Sequence, residues 1–333
     1  MQLTIDAPLD MHLHLREAEM LQLVAPLSAA HFAGAVVMPN LQSPVDSQQK
    51  LTTYRNAIVE AAGDDSFTPY MTLFFRAYTK AELEAVREHI IGIKLYPAGI
   101  TTQSEAGVAD FESIGETVTL MEELQIPLLV HGESNGFVME REREFLPIYR
   151  WLAKSFPRLP IIMEHITTAD TLDILDEFPN VAATVTLHHL MLTLDDVVGG
   201  LMQPHLFCKP IAKTPHDLQA LRAAVFSGHP RILFGSDSAP HPTHAKECCG
   251  CAAGVFSAPV ALPKLVELFA AEDRLDMLAD FITNNAQRFY GITPGPKTVR
   301  LQDEAWTVPQ SYGSVRPFLA GENIQWKVTA IEK

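Results

Sequence analysis

Four cysteines in 333 residues are too few for a disulfide framework, and three of them (Cys248, Cys249, Cys251) crowd together, leaving Cys208 alone. This usage fits a reducing compartment, so a cytoplasmic location is expected. No apolar run approaches the ~20 residues of a membrane span. The opening MQLTIDAPLD has neither a basic leader nor an apolar h-region, so neither a targeting segment nor membrane attachment is expected. Positive charge is also scarce: 25 Lys and Arg stand against 40 Asp and Glu, a formal net charge of −15. No broad basic face is available to neutralise phosphates, which argues against nucleic acid as a partner. An anionic small molecule would need a local positive site. Low-complexity tracts and long linkers are missing too, and a hydrophobic content of 47% suffices for a sizeable core.

What the chain does contain is a repeated alternation of strand and helix patterns. Candidate strands lie at 9–14 (LDMHLH), 35–38 (AVVM), 71–76 (MTLFFR), 92–95 (GIKL), 127–131 (PLLVH), 161–165 (IIMEH), 181–187 (VAATVTL) and 231–235 (RILFG). Between them run stretches with helical spacing of apolar residues, among them 17–32, 47–62, 80–90, 113–125, 143–156 and 215–226. Eight such units in about 250 residues predict an α/β fold of the (β/α)8 TIM-barrel type. A doubly wound sheet is the alternative. Residues from about 257 onward, with helices near 259–271 and 275–290 and a Pro/Gly-rich tail, are expected to pack on the barrel as an appendage within one domain spanning 1–333.

The 13 histidines are not scattered over polar surface; several end apolar runs. His12 and His14 are two apart on a candidate strand, and the two-residue period turns both imidazoles to one face. Alone, such a pair also suits an ordinary polar strand end. Lys94, His131, His165 and Asp237 each fall at or just beyond the C-terminal end of a further strand, the rim where such barrels assemble their sites. Singly, Lys94 also suits a snorkelling surface lysine, either histidine a hydrogen-bonded core residue, and Asp237 a helix N-cap. Their recurrence strand by strand favours a site.

Four imidazoles and a carboxylate suit zinc, and two metals about 3.5–4 Å apart can share an activated hydroxide. Lysine is the unusual member. A protonated ammonium repels a divalent cation, so Lys94 joins the set only as a neutral amine or after conversion to an anion. Carbamylation by carbon dioxide would make N6-carboxylysine, whose two oxygens suit a metal pair.

HLH, a strand-end lysine, two separated histidines and an aspartate, in that order, resemble the amidohydrolase superfamily. The segments DMHLHLR, VVMPNLQSPV, GIKLYPAGITT, VHGE, MEHITT, HLFCKP and GSDSAPH narrow the resemblance to the shorter, free-standing dihydroorotases. The resemblance implies two Zn²⁺ per subunit: His12 and His14 on the more buried one, His131 and His165 on the more exposed one, and carbamylated Lys94 bridging both. It implies that Asp237 ligates the buried metal and shuttles the proton between the bridging hydroxide and the leaving ring nitrogen. Arg16, Asn40 and His241 would hold the carboxylate of L-dihydroorotate or N-carbamoyl-L-aspartate, and a guanidinium can grip a carboxylate with two parallel hydrogen bonds. Thr101 and Thr102 would close over the substrate on a mobile loop, and the backbones of residue 209 and Ala253 would touch its ring. Lys209 departs from the pattern, which has an aliphatic residue there. A homodimer is implied as well.

Other readings of these residues are a surface ion pair of Arg16 with Glu17 or Glu19, a turn at Asn40, a loop histidine at His241 and a plain surface loop around Thr101. The CCxC group is expected to line the rim rather than bind zinc, since no partner pair stands at zinc-finger spacing. His188 and His189 are expected to be rim or structural residues. Rival functions are another cyclic-amide hydrolase, such as a hydantoinase or allantoinase; a catalytically dead scaffold, which would have no need of Lys94 or Asp237; and a zinc-storage module.

Overall fold

A computed structural model describes all 333 residues. Its strands are β1 (Gln2–Asp6), β2 (Leu9–Leu13), β3 (Gly34–Val37), β4 (Thr68–Phe74), β5 (Gly92–Leu95), β6 (Leu128–Val130), β7 (Ile161–Met163), β8 (Val181–Val185), β9 (Ile232–Phe234), β10 (Thr298–Thr307) and β11 (Asn323–Glu332). β2 to β9 form one parallel sheet in sequence order. Parallel strands covered on both sides carry apolar residues on both faces, and here β2, β3 and β5 to β9 are buried at every position. The two-residue period divides them. Val36, Leu129, Ile162, Ala182 and Leu233 share one buried cluster, while Ala35, Val37, Leu128, Val130, Ile161, Met163, Ala183 and Val185 belong to the larger cluster that includes helix residues.

The sheet curls until β2 meets the exit of β9. A parallel bridge joins Leu13 to Ser238, the Asp237 amide donates to the His12 carbonyl (2.8 Å), and the His14 amide donates to the Ser238 carbonyl (3.1 Å). Asp10, fully buried, fastens this seam: it accepts from the Ser236 amide (2.7 Å), the Ser236 hydroxyl (2.5 Å) and the His12 amide (3.1 Å). Burial raises its carboxyl to about 6 despite those donors. The result is the eight-stranded α/β barrel that the alternating pattern predicts, with helices such as Ala18–His31, Gln48–Ala62 and Arg141–Ser155 between the strands. No helix is long and apolar enough to cross a membrane.

The two expected C-terminal helices are present as Ala261–Ala271 and as Leu275–Ala279, the latter followed by a π turn and Asn285–Tyr290. The tail differs from expectation. β10 and β11 pair antiparallel, β1 adds to β10 with Leu3 opposite Leu301, and the three form a second sheet. Val299, Leu301, Ile324 and Trp326 bury one side of it in the main core cluster. The Lys297 ammonium, fully buried, donates to the carbonyls of Ala29 and Phe32 at the end of helix Ala18–His31 and to Asp64, tying the sheet to the barrel.

Candidate active site

The strand-end residues converge. One cavity is lined by His12, His14, Arg16, Asn40, Tyr96, Thr101, Thr102, His131, His165, Lys209, Asp237, Ala239, Ala253 and Gly254. These include every expected site residue except Lys94 and His241. Lys94 lies between Ile93 and Leu95, which face the outer core, so the strand period turns it inward. It is fully buried, and its Nζ has no hydrogen-bonding partner.

Neighbouring carboxylates decide which nitrogen each imidazole leaves free. His12 Nδ1 donates to Glu164 at 2.7 Å, so its Nε2 is the free nitrogen, 3.5 Å from Asp237. His14 Nε2 stands 3.1 Å from the same Asp237 oxygen, and the three side chains can offer ligand atoms within 4.8 Å of one another. His131 Nε2 donates to Glu133 at 2.7 Å, leaving Nδ1. The His165 ring lies 4.9 Å from that of His12 and 4.7 Å from that of His131, with its Nδ1 unpartnered. A buried carboxylate behind a ligating imidazole fixes its tautomer and ring orientation. Thr184 extends this support by donating to Glu164 (2.6 Å) while accepting from the His165 amide (2.6 Å).

Electrostatics favour the forms that bind a cation. Burial drives His14 down to about 3 and depresses His131 and His165, so these imidazoles are neutral at neutral pH. For Asp237 burial alone would raise the carboxyl, but the His14 hydrogen bond and the neighbouring His12 outweigh it and hold it low. Burial lowers Lys94 to about 8, against the pull of Glu164 and Asp237. A buried ammonium without a partner is costly, whereas a metal-bound anion in its place would be satisfied. The donor set therefore fits a divalent metal. Arg16, His165 and Asp237 all hold positive φ (58°, 41° and 43°), an uncommon conformation for these residue types that clusters here at the strand exits.

Beside this cluster, Arg16 donates from Nε to the Pro240 carbonyl (3.2 Å), and its Nη2 lies 3.1 Å from His241 Nε2. It forms no ion pair with Glu17 or Glu19 among the salt bridges of the chain. His241 Nε2 also lies 3.0 Å from the Ala253 carbonyl, and one nitrogen serves only one of these contacts in a given tautomer. Tyr96 donates to Asn40 Oδ1 (2.9 Å), and Asn40 Nδ2 donates to the Thr102 carbonyl (3.0 Å).

Several contributors escape sequence reading. Tyr96 and Gly254 line the cavity, while Glu133, Glu164, Thr184 and Asp10 act from behind it. The signal for the two glutamates was present in VHGE and MEH, where an acid stands one or two residues from a strand-end histidine. Lys246 gave no signal; its buried ammonium donates to the carbonyls of Phe207, Ala252 and Gly254 and so shapes the loop bearing Ala253. Cys248 and Cys249 are exposed, Cys251 is half-buried, and all four thiols are free. His188, His189 and Cys208 form a second buried group. There both His189 nitrogens are bonded, to Thr186 and the Pro210 carbonyl, and the Cys208 thiol donates to that same carbonyl, while neither His188 nitrogen has a partner.

Known proteins share this architecture along its whole length. The family model for amidohydrolases matches residues 9–292. A dihydroorotase of Helicobacter hepaticus is 45% identical over 335 residues, covering 98% of this chain and 97% of that protein. The crystal structure of a dihydroorotase from Campylobacter jejuni superposes with a TM-score of 0.95 at 49% identity, covering 99% of this chain and 98% of the other. The dihydroorotase of Saccharomyces cerevisiae, crystallised with 5-fluoroorotic acid, gives a TM-score of 0.92 at 33% identity, with 98% of each chain covered. Identity of this level over nearly complete chains, on a barrel whose rim gathers these residues, makes the chain a member of the dihydroorotase family of amidohydrolase enzymes.

Proposed function

We propose that this pocket catalyses the reversible hydrolysis of the cyclic amide of L-dihydroorotate to N-carbamoyl-L-aspartate, a step of de novo pyrimidine biosynthesis. The observation that carries the proposal is the unpartnered, fully buried Lys94 amine among imidazoles held neutral by burial, with Arg16 a short way along the same cavity. His12, His14 and Asp237 would hold one Zn²⁺, His131 and His165 a second, and Lys94, carbamylated by CO2, would bridge the two. Bound there, the pair would supply an acidic water and a Lewis acid for the amide carbonyl.

The chain's own residues do the rest. Asp237, kept ionised by its histidine neighbours, accepts the proton of the attacking water at a carboxylate oxygen and returns it to the ring nitrogen as the amide bond breaks. Arg16 and His241, with Asn40, grip the substrate carboxylate, which sets the ring against the metal cluster. The backbones of Lys209 and Ala253 flank the ring, and Thr101 and Thr102 donate from the loop above. In the synthetic direction Asp237 works in reverse. Glu164 and Glu133 keep the His12 and His131 rings oriented throughout.

The proposal extends to a cytoplasmic homodimer acting as one domain over residues 1–333; the four free thiols and the pairing of β1 with β10 support its location and its unity. The decisive assay follows dihydroorotate absorbance with purified, zinc-loaded protein beside Asp237→Asn. The wild type should consume dihydroorotate, and the variant should turn over 10²- to 10⁴-fold more slowly, roughly the worth of a positioned acid–base group. A wild type that preferred neutral hydantoins would replace this reading with that of a hydantoinase.

A further inference from the structure

The loop 97–108 leaves the end of β5 and returns to it. Its neck is closed by the Ala98 amide donating to the Val108 carbonyl (2.9 Å) and the Val108 amide to the Tyr96 carbonyl (2.7 Å). A Cβ on Gly107 would come within 2.4 Å of the Tyr96 carbonyl, so only glycine permits this close return. Ser104, fully buried, organises the tip: its hydroxyl donates to the Thr101 carbonyl (2.7 Å) and accepts from the Thr101 amide (2.9 Å), and its carbonyl accepts from the Gly99 and Gly107 amides. These bonds centre on the buried Ser104, so the folded-down form of the loop is the one that protects the Gly99, Thr101 and Gly107 amides.

Two side chains of the pocket wall donate to its tip. Asn40 Nδ2 reaches the Thr102 carbonyl (3.0 Å), and Lys209 Nζ reaches the Ile100 carbonyl (2.8 Å). With the tip so held, Thr101 and Thr102 line the cavity together with the histidines and Asp237. Opening of this loop would widen the way in for substrate and out for product. Unlike an aliphatic side chain, Lys209 brings to this point of the wall a donor for a carbonyl.

We propose that Lys209 is the latch of this loop: a positioning residue whose ammonium, by holding the Ile100 carbonyl, keeps Thr101 and Thr102 seated over the pocket and lets go for exchange of substrate and product. The inference rests on the reading of the cavity as the active site, but its central observable is the loop itself. A charge-assisted hydrogen bond is stronger than a neutral one, and a partly exposed one sits at the low end of that range. Removing it should raise the open fraction by about tenfold.

Hydrogen exchange on the zinc-loaded full chain without substrate reads this directly. In Lys209→Met, which keeps the stem and loses the donor, the Gly99, Thr101 and Gly107 amides should exchange about tenfold faster than in the wild type. Lys209→Arg, which can still donate, should restore protection, and Lys209→Gln provides a second loss variant should Lys209→Met fail to fold. Unchanged exchange in a folded, fully metallated Lys209→Met or Lys209→Gln would overturn the latch. Unchanged exchange with a raised KM for dihydroorotate would also overturn it and assign Lys209 to direct substrate contact. Faster exchange in a chain that fails to hydrolyse dihydroorotate would uphold the latch while refuting the activity, so the two readings fail separately.

Discussion

If Lys94 becomes a carbamate, its neutral amine must first be populated, and the barrel interior supplies the means. Burial lowers the group from its ordinary 10.5 to about 8. At pH 7 roughly 10% of the amines are then neutral, against about 0.03% for an exposed lysine, a gain of roughly 300-fold in the form that attacks carbon dioxide. The perturbation is a pH series at fixed dissolved CO2, starting from metal-free protein and adding zinc, with ¹³C-labelled CO2 followed by NMR and activity recovery measured in parallel. Label uptake should climb with pH and level off above about 8, where the buried amine is already neutral. Lys94→Met should lose the signal and the recovered activity together. Uptake that keeps climbing to pH 10, as for solvent lysines, or a signal that survives in Lys94→Met, would refute the reasoning.

Glu164→Gln removes the ionised acceptor behind His12 Nδ1, so zinc affinity measured by competition with a chelator should fall about 10- to 100-fold while the barrel stays folded. Arg16→Ala should weaken both dihydroorotate and N-carbamoyl aspartate by about 1.5–3 kcal/mol, seen as a raised KM, and leave any activity on neutral hydantoins untouched. An equal loss on neutral rings would remove Arg16 from carboxylate recognition. Replacing Thr101 and Thr102 together by valine should depress turnover by roughly 10²-fold with zinc content and thermal unfolding nearly unchanged; normal turnover would make the pair ordinary loop residues.

Why so much of the site could be read in the sequence is physical. A two-residue strand period and a shared functional rim place His12, His14, Lys94, His131, His165 and Asp237 together without any knowledge of distances. The period also explains the burial of Lys94, flanked as it is by outward-facing Ile93 and Leu95. Supporting contacts were harder to see because they join residues far apart in the chain: Glu164 reaches His12, Asp10 reaches Ser236, and Lys209 reaches Ile100. The second sheet was missed for the same reason. β1 pairs with β10 across almost the full chain, and the half-exposed pattern of β10 resembles a polar tail until Val299 and Leu301 are seen to be buried.

The metal centre is the claim on which the chemistry depends, and zinc anomalous diffraction from crystals grown with Zn²⁺ and bicarbonate tests it most directly. Two peaks about 3.5–4 Å apart are expected, one beside His12, His14 and Asp237 and the other beside His131 and His165, with density on Lys94 Nζ for a carboxylate between them. A single peak at full zinc loading, with Lys94 remaining a free amine, would contradict the account.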